Sequence, residues 1–374
     1  MRRALSEARK GVGRTAPNPP VGAVVVRREA IIGVGFHEKA GAPHAEVNAL
    51  NDAQARGGER KGATLYVTLE PCVHHGRTPP CVDRVIAEGI GRVVIGALDP
   101  NPRVHQKGIA ALRAAGIDVD VLTPQAHGAL AQECQALIEP FARATVEGRP
   151  FVVLKVASSL DGRVAAANGA SQWITGPASR ALVHRLRDSV DAVVVGAGTV
   201  LADDPSLTVR DAGATASGTV RDPLRVVIDT TLRTSPTLRV YQARAGQPAA
   251  VVMHGPAADP ARVAAFEQAR VRRVVVDTPH GGHVDLPAAL RALVPLGVMA
   301  VLIEGGPGLA SAALQAGVVD ELWWFQAPLL LGADAVPSVL ALGLSAPAAG
   351  PRFTPVHREI TGDDALVIFV PTRT

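Results

Sequence analysis

Two cysteines and a histidine in this chain each stand where a strand-like run gives way to a helix-like one. His44-Ala45-Glu46 opens His44–Ala55, which has the composition and spacing of a helix. Cys72 follows the strand-like run Ala63–Thr68 through Leu69-Glu70-Pro71, and Cys81 stands at the start of Pro80–Glu88, a helical stretch stopped by Gly89. Two thiolates and one imidazole suit Zn²⁺ and leave a fourth position for water. Helix N-termini favour thiolate, because their free N–H groups stabilise negative charge. Glu46, two residues beyond His44, is suited to move protons rather than to bind metal.

The surrounding pattern is α/β. A short helix is expected at 4–11. Val21–Val26 and Ile31–Val34 read as a hairpin about Arg27-Arg28-Glu29. Strands at Val93–Gly96 and Ile117–Val121 flank a helix at Gly108–Ala115, and a long helix over about Gln125–Thr145 closes a layered domain. Glu147-Gly148-Arg149-Pro150 breaks the pattern and Phe151–Val156 restarts it, so the boundary is set at 1–147 and 148–374. The second half again alternates. Helices are expected at Ala178–Arg187, Leu286–Leu293 and Leu309–Ala316. Strands are expected at Ala192–Val195, Arg225–Ile228, Ala250–Met253, Arg273–Val276 and Met299–Ile303. The Ala212–Arg221 stretch, rich in Gly, Ala, Ser and Thr, reads as a mobile loop.

Composition narrows the classes. A length of 374 residues with 47% hydrophobic residues supports two cores. Lys plus Arg against Asp plus Glu is 18 to 15 in residues 1–147 and 20 to 19 in the rest. Neither half is an electrostatic magnet for nucleic acid, and only 3% aromatic residues leaves few stacking platforms for single strands. A deaminase acting on nucleic acid, and a deaminase carrying a non-catalytic scaffold, are the alternatives to a two-activity enzyme. No apolar run approaches the roughly 18–20 residues of a membrane helix, and no apolar signal core follows the start. The expectation is a cytoplasmic protein with small-molecule partners, no nucleic-acid or membrane partner, and a homo-oligomeric state, dimer or tetramer. Three cysteines are too few for a disulfide framework.

H-x-E followed by P-C-x-x-C is the signature of zinc deaminases. Here eight residues rather than two separate Cys72 from Cys81, and they include His74 and His75, either of which could be a ligand. Asn18, in Pro17-Asn18-Pro19-Pro20-Val21-Gly22, reads equally as a base- or sugar-reading amide or as a plain Pro-Asn turn. In the second half, Val195-Gly196-Ala197-Gly198-Thr199 and Ile303-Glu304-Gly305-Gly306-Pro307-Gly308 could bring backbone N–H groups to a phosphate or could be tight strand-to-helix turns.

The string Thr68-Leu69-Glu70-Pro71-Cys72-Val73-His74-His75-Gly76-Arg77-Thr78-Pro79-Pro80-Cys81 resembles the deaminase domain of the RibD family of bifunctional riboflavin biosynthesis enzymes. The long gap is that family's own variant of the signature. Similarity continues through Pro17–Gly22, His44–Leu50 and Asp99-Pro100-Asn101-Pro102. It continues in Lys155-Val156-Ala157-Ser158-Ser159-Leu160-Asp161-Gly162, Ser171-Gln172-Trp173-Ile174-Thr175 and Gly198–Pro205. The resemblance implies a cytidine-deaminase-like three-layer α/β/α domain followed by a dihydrofolate-reductase-like α/β domain. It implies zinc-dependent deamination of 2,5-diamino-6-(5-phosphoribosylamino)pyrimidin-4(3H)-one, then NADPH-dependent reduction of the ribosyl chain to ribityl. One Zn²⁺ per chain would be held by His44, Cys72 and Cys81, with Glu46 as proton shuttle and Asn18 on the substrate. Ala157, Trp173, Thr199 and Asp203 would contact NADPH, with Gly306, Pro307, Gly308, Leu309, Ala310, Ser311 and Ala312 at its phosphates. Ser171, Arg187, Leu207, Arg210 and Glu304 would line the reductase substrate site. The two arginines suit a phosphate, which a guanidinium fork reads well. Lys155 and Asp203 are candidates to position or protonate. Gln106 stands where relatives usually have Gly, and Gly308 where Thr is common. Cys134 is expected to be a buried helix residue, and Trp323-Trp324 to pack at a sheet edge or subunit interface.

Overall fold

The structure is a computed structural model and describes residues 1–74, 79–210, 218–243, 250–279 and 282–372. It divides into two compact units, one made mainly of Met1–Gly148 and the other mainly of Arg149–Thr374.

The first unit runs α1 (Arg2–Arg9), β1 (Gly22–Arg27), β2 (Ala30–Phe36), α2 (Ala45–Ala55), β3 (Thr64–Val67), α3 (Cys81–Ala87), β4 (Arg92–Ile95), α4 (Lys107–Ala114), β5 (Asp118–Val121), α5 (Pro124–His127) and α6 (Ala129–Ala142). Its sheet has the order β2-β1-β3-β4-β5, antiparallel through β3 and parallel beyond. The hairpin turn carries Arg28 at φ +48° and Glu29 at φ +68°. Those paired positive angles match the twist of the strands even without the usual Asn-Gly. Alternate strand residues face opposite layers. Ala23, Val25, Leu65, Val67, Val93 and Ile95 pack on α2, α3 and α4, while Val94 packs with Leu122 and Ala131 of the other layer. Cys134 is fully buried in α6, as expected. The long closing helix is not continuous. Gly128 (φ +51°, ψ −129°) separates α5 from α6, a conformation only glycine adopts cheaply.

Two glycines set the height of α2 above the sheet. A Cβ on Gly33 would stand 2.3 Å from the Ala49 carbonyl oxygen, and one on Gly35 would stand 2.3 Å from the Ala49 nitrogen. The facing side of α2 is Ala45, Ala49 and Ala53, all fully buried. Small residues on both sides let the backbones touch, and that contact fixes where the first turn of α2 points.

The second unit runs β6 (Phe151–Ser158), β7 (Arg163–Ala165), α7 (Pro177–Ser189), β8 (Ala192–Gly196), α8 (Ala197–Asp203), β9 (Leu224–Ile228), β10 (Val251–His254), α9 (Pro260–Gln268), β11 (Arg272–Val275), α10 (Leu286–Arg291), β12 (Ala300–Ile303), α11 (Pro307–Gln315), β13 (Glu321–Gln326), β14 (Val336–Pro337), β15 (Phe353–Thr361) and β16 (Asp364–Pro371). Nine strands form one sheet in the order β11-β10-β9-β8-β12-β6-β13-β16-β15. It is parallel from β11 to β13 and antiparallel for β16 and β15. Both faces are covered by apolar clusters, which is what all-parallel strands require. Trp323 and Trp324 lie on β13, an interior strand between β6 and β16, and Trp324 Nε1 donates to Ser158 Oγ at 2.9 Å. The expectation of a sheet edge is corrected: the C-terminal hairpin covers that flank.

Candidate active sites

The chain assembles a three-donor cluster in the first unit from two helix starts and one loop. His44 is the N-cap residue of α2, Cys81 is the first residue of α3, and Cys72 lies in the loop after β3. One ligand atom from each lies within 4.8 Å of the others. His44 Nδ1 is 3.1 Å from Cys81 Sγ and 3.6 Å from Cys72 Sγ, and the Cys81 backbone N–H donates to Cys72 Sγ at 3.4 Å. Ligand atoms on a tetrahedral zinc with the usual bond lengths stand roughly 3.5 Å apart, so two thiols and an imidazole at these separations fit the ion. Among the described residues no fourth side chain joins the cluster. His74 is exposed and outside it. His75 lies outside the described residues, as does most of the Ala212–Arg221 stretch.

The electrostatics follow from crowding. The hydrogen bond to Cys81 lowers the Cys72 thiol to about 4, against the cost of burial, and His44 adds to the lowering. The same hydrogen bond, with burial, pushes Cys81 well up. The hydrogen bond to Cys72 raises His44. Glu46, 3% exposed in the first turn of α2, is raised to about 7, mainly by burial and then by the Cys72 charge. A carboxyl near neutral can both accept and give a proton at ordinary pH.

One residue that the sequence did not single out completes this wall. His37, the residue after β2, meets the His44 ring edge-on with centroids 5.1 Å apart. Its Nδ1 lies 3.2 Å from the Pro43 carbonyl and its Nε2 lies 3.1 Å from Asn18 Nδ2. A carbonyl only accepts, so the ring proton is on Nδ1, and Nε2 accepts from the amide. That assignment turns Asn18 Oδ1 away from His37. Nothing in the spacing of His37 marks it; its partners are distant in sequence.

In the second unit the glycine turns after β8 and β12 and Lys155 of the adjacent β6 lie toward the carboxyl ends of those strands, where open parallel sheets hold their ligands. Both glycine turns lead straight into helices, with Gly196 the N-cap of α8 and Gly306 that of α11. Thr199 Oγ1 accepts from the Gly306 N–H at 3.1 Å and ties the two turns together. A Cβ on Gly198 or Gly308 would meet nothing within 4 Å, so backbone faces an open cradle. Pro307 has no N–H, and the Ala310 N–H is used by Gly306 O at 3.2 Å, which leaves Gly308 and Leu309 as the donors without intrahelical partners. Such a cradle fits a dinucleotide phosphate. Ala310 and Ser311 are buried instead, with Ser311 Oγ accepting from Leu340 N at 2.7 Å. Trp173 is 66% exposed, with Arg180 stacked 4.5 Å from its ring centre. Ala157 lies on β6, Asp203 ends α8, and Ser171 is half-buried.

Arg187 does not present a free fork. It grips Glu304 with Nε at 2.5 Å and Nη2 at 2.9 Å, while Nη1 donates to Thr208 O at 3.0 Å. Arg210, by contrast, is exposed. Burial works against the charge on Glu304, but Arg187 and, beyond it, Lys155 outweigh this and hold the carboxyl below its usual range. Lys155 is lowered by burial, with Glu304 opposing. Leu207 has its side chain in the core and φ +52°, a strained angle for a branched residue, so only its backbone can face a ligand.

Comparison with known proteins covers both units. The profile for the cytidine and deoxycytidylate deaminase zinc-binding region matches residues 1–97, and that for the RibD C-terminal domain matches 150–367. The riboflavin biosynthesis protein RibD of Escherichia coli is 43% identical over 360 residues, covering 94% of this chain and 93% of that protein. The corresponding Aquifex aeolicus protein is 40% identical, covering 99% and 97%. A solved structure of Acinetobacter baumannii RibD superposes with a TM-score of 0.86 at 38% identity, covering 100% of this chain and 98% of that one.

Proposed function

Because the chain belongs to the RibD family, we propose that its two activities reside in the two clusters described above, deamination at His44, Glu46, Cys72 and Cys81 and reduction around Lys155, Arg187 and Glu304. The enzyme is a bifunctional deaminase and reductase of riboflavin biosynthesis, with zinc in the first activity and NADPH in the second. The observation that carries the site assignment is the convergence of three zinc-type donors within 4.8 Å beside one buried carboxyl.

In the deaminase, His44, Cys72 and Cys81 hold the metal, which when bound supplies a Lewis acid for activating water. Glu46 takes the proton of the attacking water and hands protons to the ring nitrogen and the departing amine, so that one water is consumed and one ammonia released. General acid–base transfer of this kind supplies about 10²–10⁴-fold. Asn18, held by His37, offers its amide oxygen to a ring N–H or amine of the aminopyrimidine.

In the reductase, Thr199 and the Gly308–Leu309 amides hold the cofactor phosphates, and Trp173, Ala157 and Asp203 flank the rest. NADPH when bound supplies the hydride for C1′ of the opened ribosylamine. Lys155 is placed to hold or deliver a proton next to Glu304, and Arg210, Ser171 and the Leu207 backbone line the substrate. We assign residues 1–147 to the first activity and 148–374 to the second, in a cytoplasmic homo-oligomer. No helix among the described residues is long and apolar enough to cross a membrane.

Glu46→Gln tests the two-site assignment. The variant should keep stoichiometric zinc, lose deamination and leave NADPH oxidation with the deaminated intermediate intact. Loss of both activities in a folded variant would overturn it.

A further inference from the structure

Glu70 precedes the Pro71-Cys72 turn and is 3% exposed. Its carboxylate accepts from four backbone N–H groups. Oε2 receives Gln106 at 3.0 Å and Asp99 at 3.3 Å, and Oε1 receives Gly108 at 3.0 Å and Ile109 at 3.4 Å. All four donors belong to one segment, 99–109. That segment is folded by its own polar contacts: Asp99 Oδ1 accepts from Asn101 N at 2.8 Å, and the Asp99 carbonyl lies 2.9 Å from His105 Nδ1. Gly108 presses on the same turn, since a Cβ there would stand 2.3 Å from Pro71 O. Asp99, 6% exposed, is held through its N–H on Glu70, two residues before Cys72.

We propose that Glu70 is a positioning residue that clamps the 99–109 segment onto the Cys72-bearing turn and so sets the Asp99 wall of the deaminase pocket. The proposal rests on the deaminase reading of that pocket. A carboxylate is the one side chain that fits: four N–H groups need two acceptor oxygens, and three of the donors, at residues 106, 108 and 109, stand at the start of α4. A glutamine has the same shape but turns an NH₂ toward two of those donors. The clamp acts on where substrate sits and leaves Glu46 and the three metal donors in place.

The test is Glu70→Gln in the full-length zinc-loaded enzyme, with Glu70→Asp beside it. Zinc content and reductase kcat/KM should stay at wild-type values. Backbone amides of Gln106, Gly108 and Ile109 should exchange with solvent at least about tenfold faster, and the deaminase KM should rise about tenfold with kcat within about threefold, as loss of charged hydrogen bonds predicts. Glu70→Asp keeps both oxygens and should recover part of the protection and of the KM. A role confined to stability would lower the melting temperature with KM unchanged. Unchanged exchange in Glu70→Gln, or faster exchange with an unchanged KM, overturns the proposal. If Glu70→Gln does not fold, Glu70→Asp decides on the same two readings. Should the wild-type enzyme fail to deaminate the aminopyrimidine, the deaminase reading falls, and amide exchange still decides the clamp.

Discussion

Asn18 Nδ2 donates to His37 Nε2 at 3.1 Å, and this bond fixes the orientation of the Asn18 amide, with Oδ1 turned away from His37. His37 is in turn fixed by the Pro43 carbonyl one residue before His44. The orientation of the amide proposed to contact substrate thus depends on His37. Replacing His37 with Ala removes the hydrogen bond that orients Asn18, worth about 1 kcal/mol. Deaminase KM should rise about fivefold by the same relation, with zinc content unchanged. Steady-state kinetics with metal analysis checks this.

The Arg187–Glu304 pair predicts a split between stability and binding among the two arginines. Arg187→Ala strands a buried carboxylate and should destabilise the enzyme by roughly 3 kcal/mol. Arg210 is exposed, so Arg210→Ala should leave the melting temperature within about a degree while raising the reductase KM. Equal melting losses in both variants would contradict the assignment.

Lys155 carries a pH signature. Its folded pKa is depressed, so the fold prefers the neutral amine. The stability this group contributes is full above its unfolded pKa of 10.5 and is lost as pH falls through the folded value. Lys155→Met should therefore raise the melting temperature at pH 7, flatten its rise on the alkaline side below 10.5, and slow reduction. Calorimetry across pH 7–10 on both proteins measures it.

Gln106 sits at φ +60°, where glycine is at ease and other residues pay. Gln106→Gly should gain roughly 0.5–1 kcal/mol, with the Glu70 bond to residue 106 kept because that bond uses the backbone. Chemical denaturation resolves a change of that size.

The metal donors were legible because their chemistry limits the residue types and their spacing places them at helix starts. The alternating elements were legible wherever apolar runs were bounded by Gly or Pro, as at β4 and β12. The C-terminal hairpin was not read. β15 is exposed along nearly its whole length, so Thr354, Pro355, His357, Arg358 and Glu359 carry no alternation to find. His37 and Glu70 were missed as functional because their partners, Asn18 and residues 99–109, are defined only by the fold. The Arg187–Glu304 pair was hidden for the same reason: a guanidinium looks alike in sequence whether it meets phosphate or a carboxylate.

The strand order of the large sheet also governs when this enzyme can assemble on the ribosome. Among the described residues β6, which begins at residue 151, pairs with β12 and β13, which begin at 300 and 321. The first unit has its five strands by residue 121 and its last α-helix by 142. The second must hold its opening strand unpaired through the synthesis of about 150 further residues, a delay that long-range parallel pairing makes costly. Nascent chains stalled before β12 should therefore bind chaperones that those stalled after β16 do not.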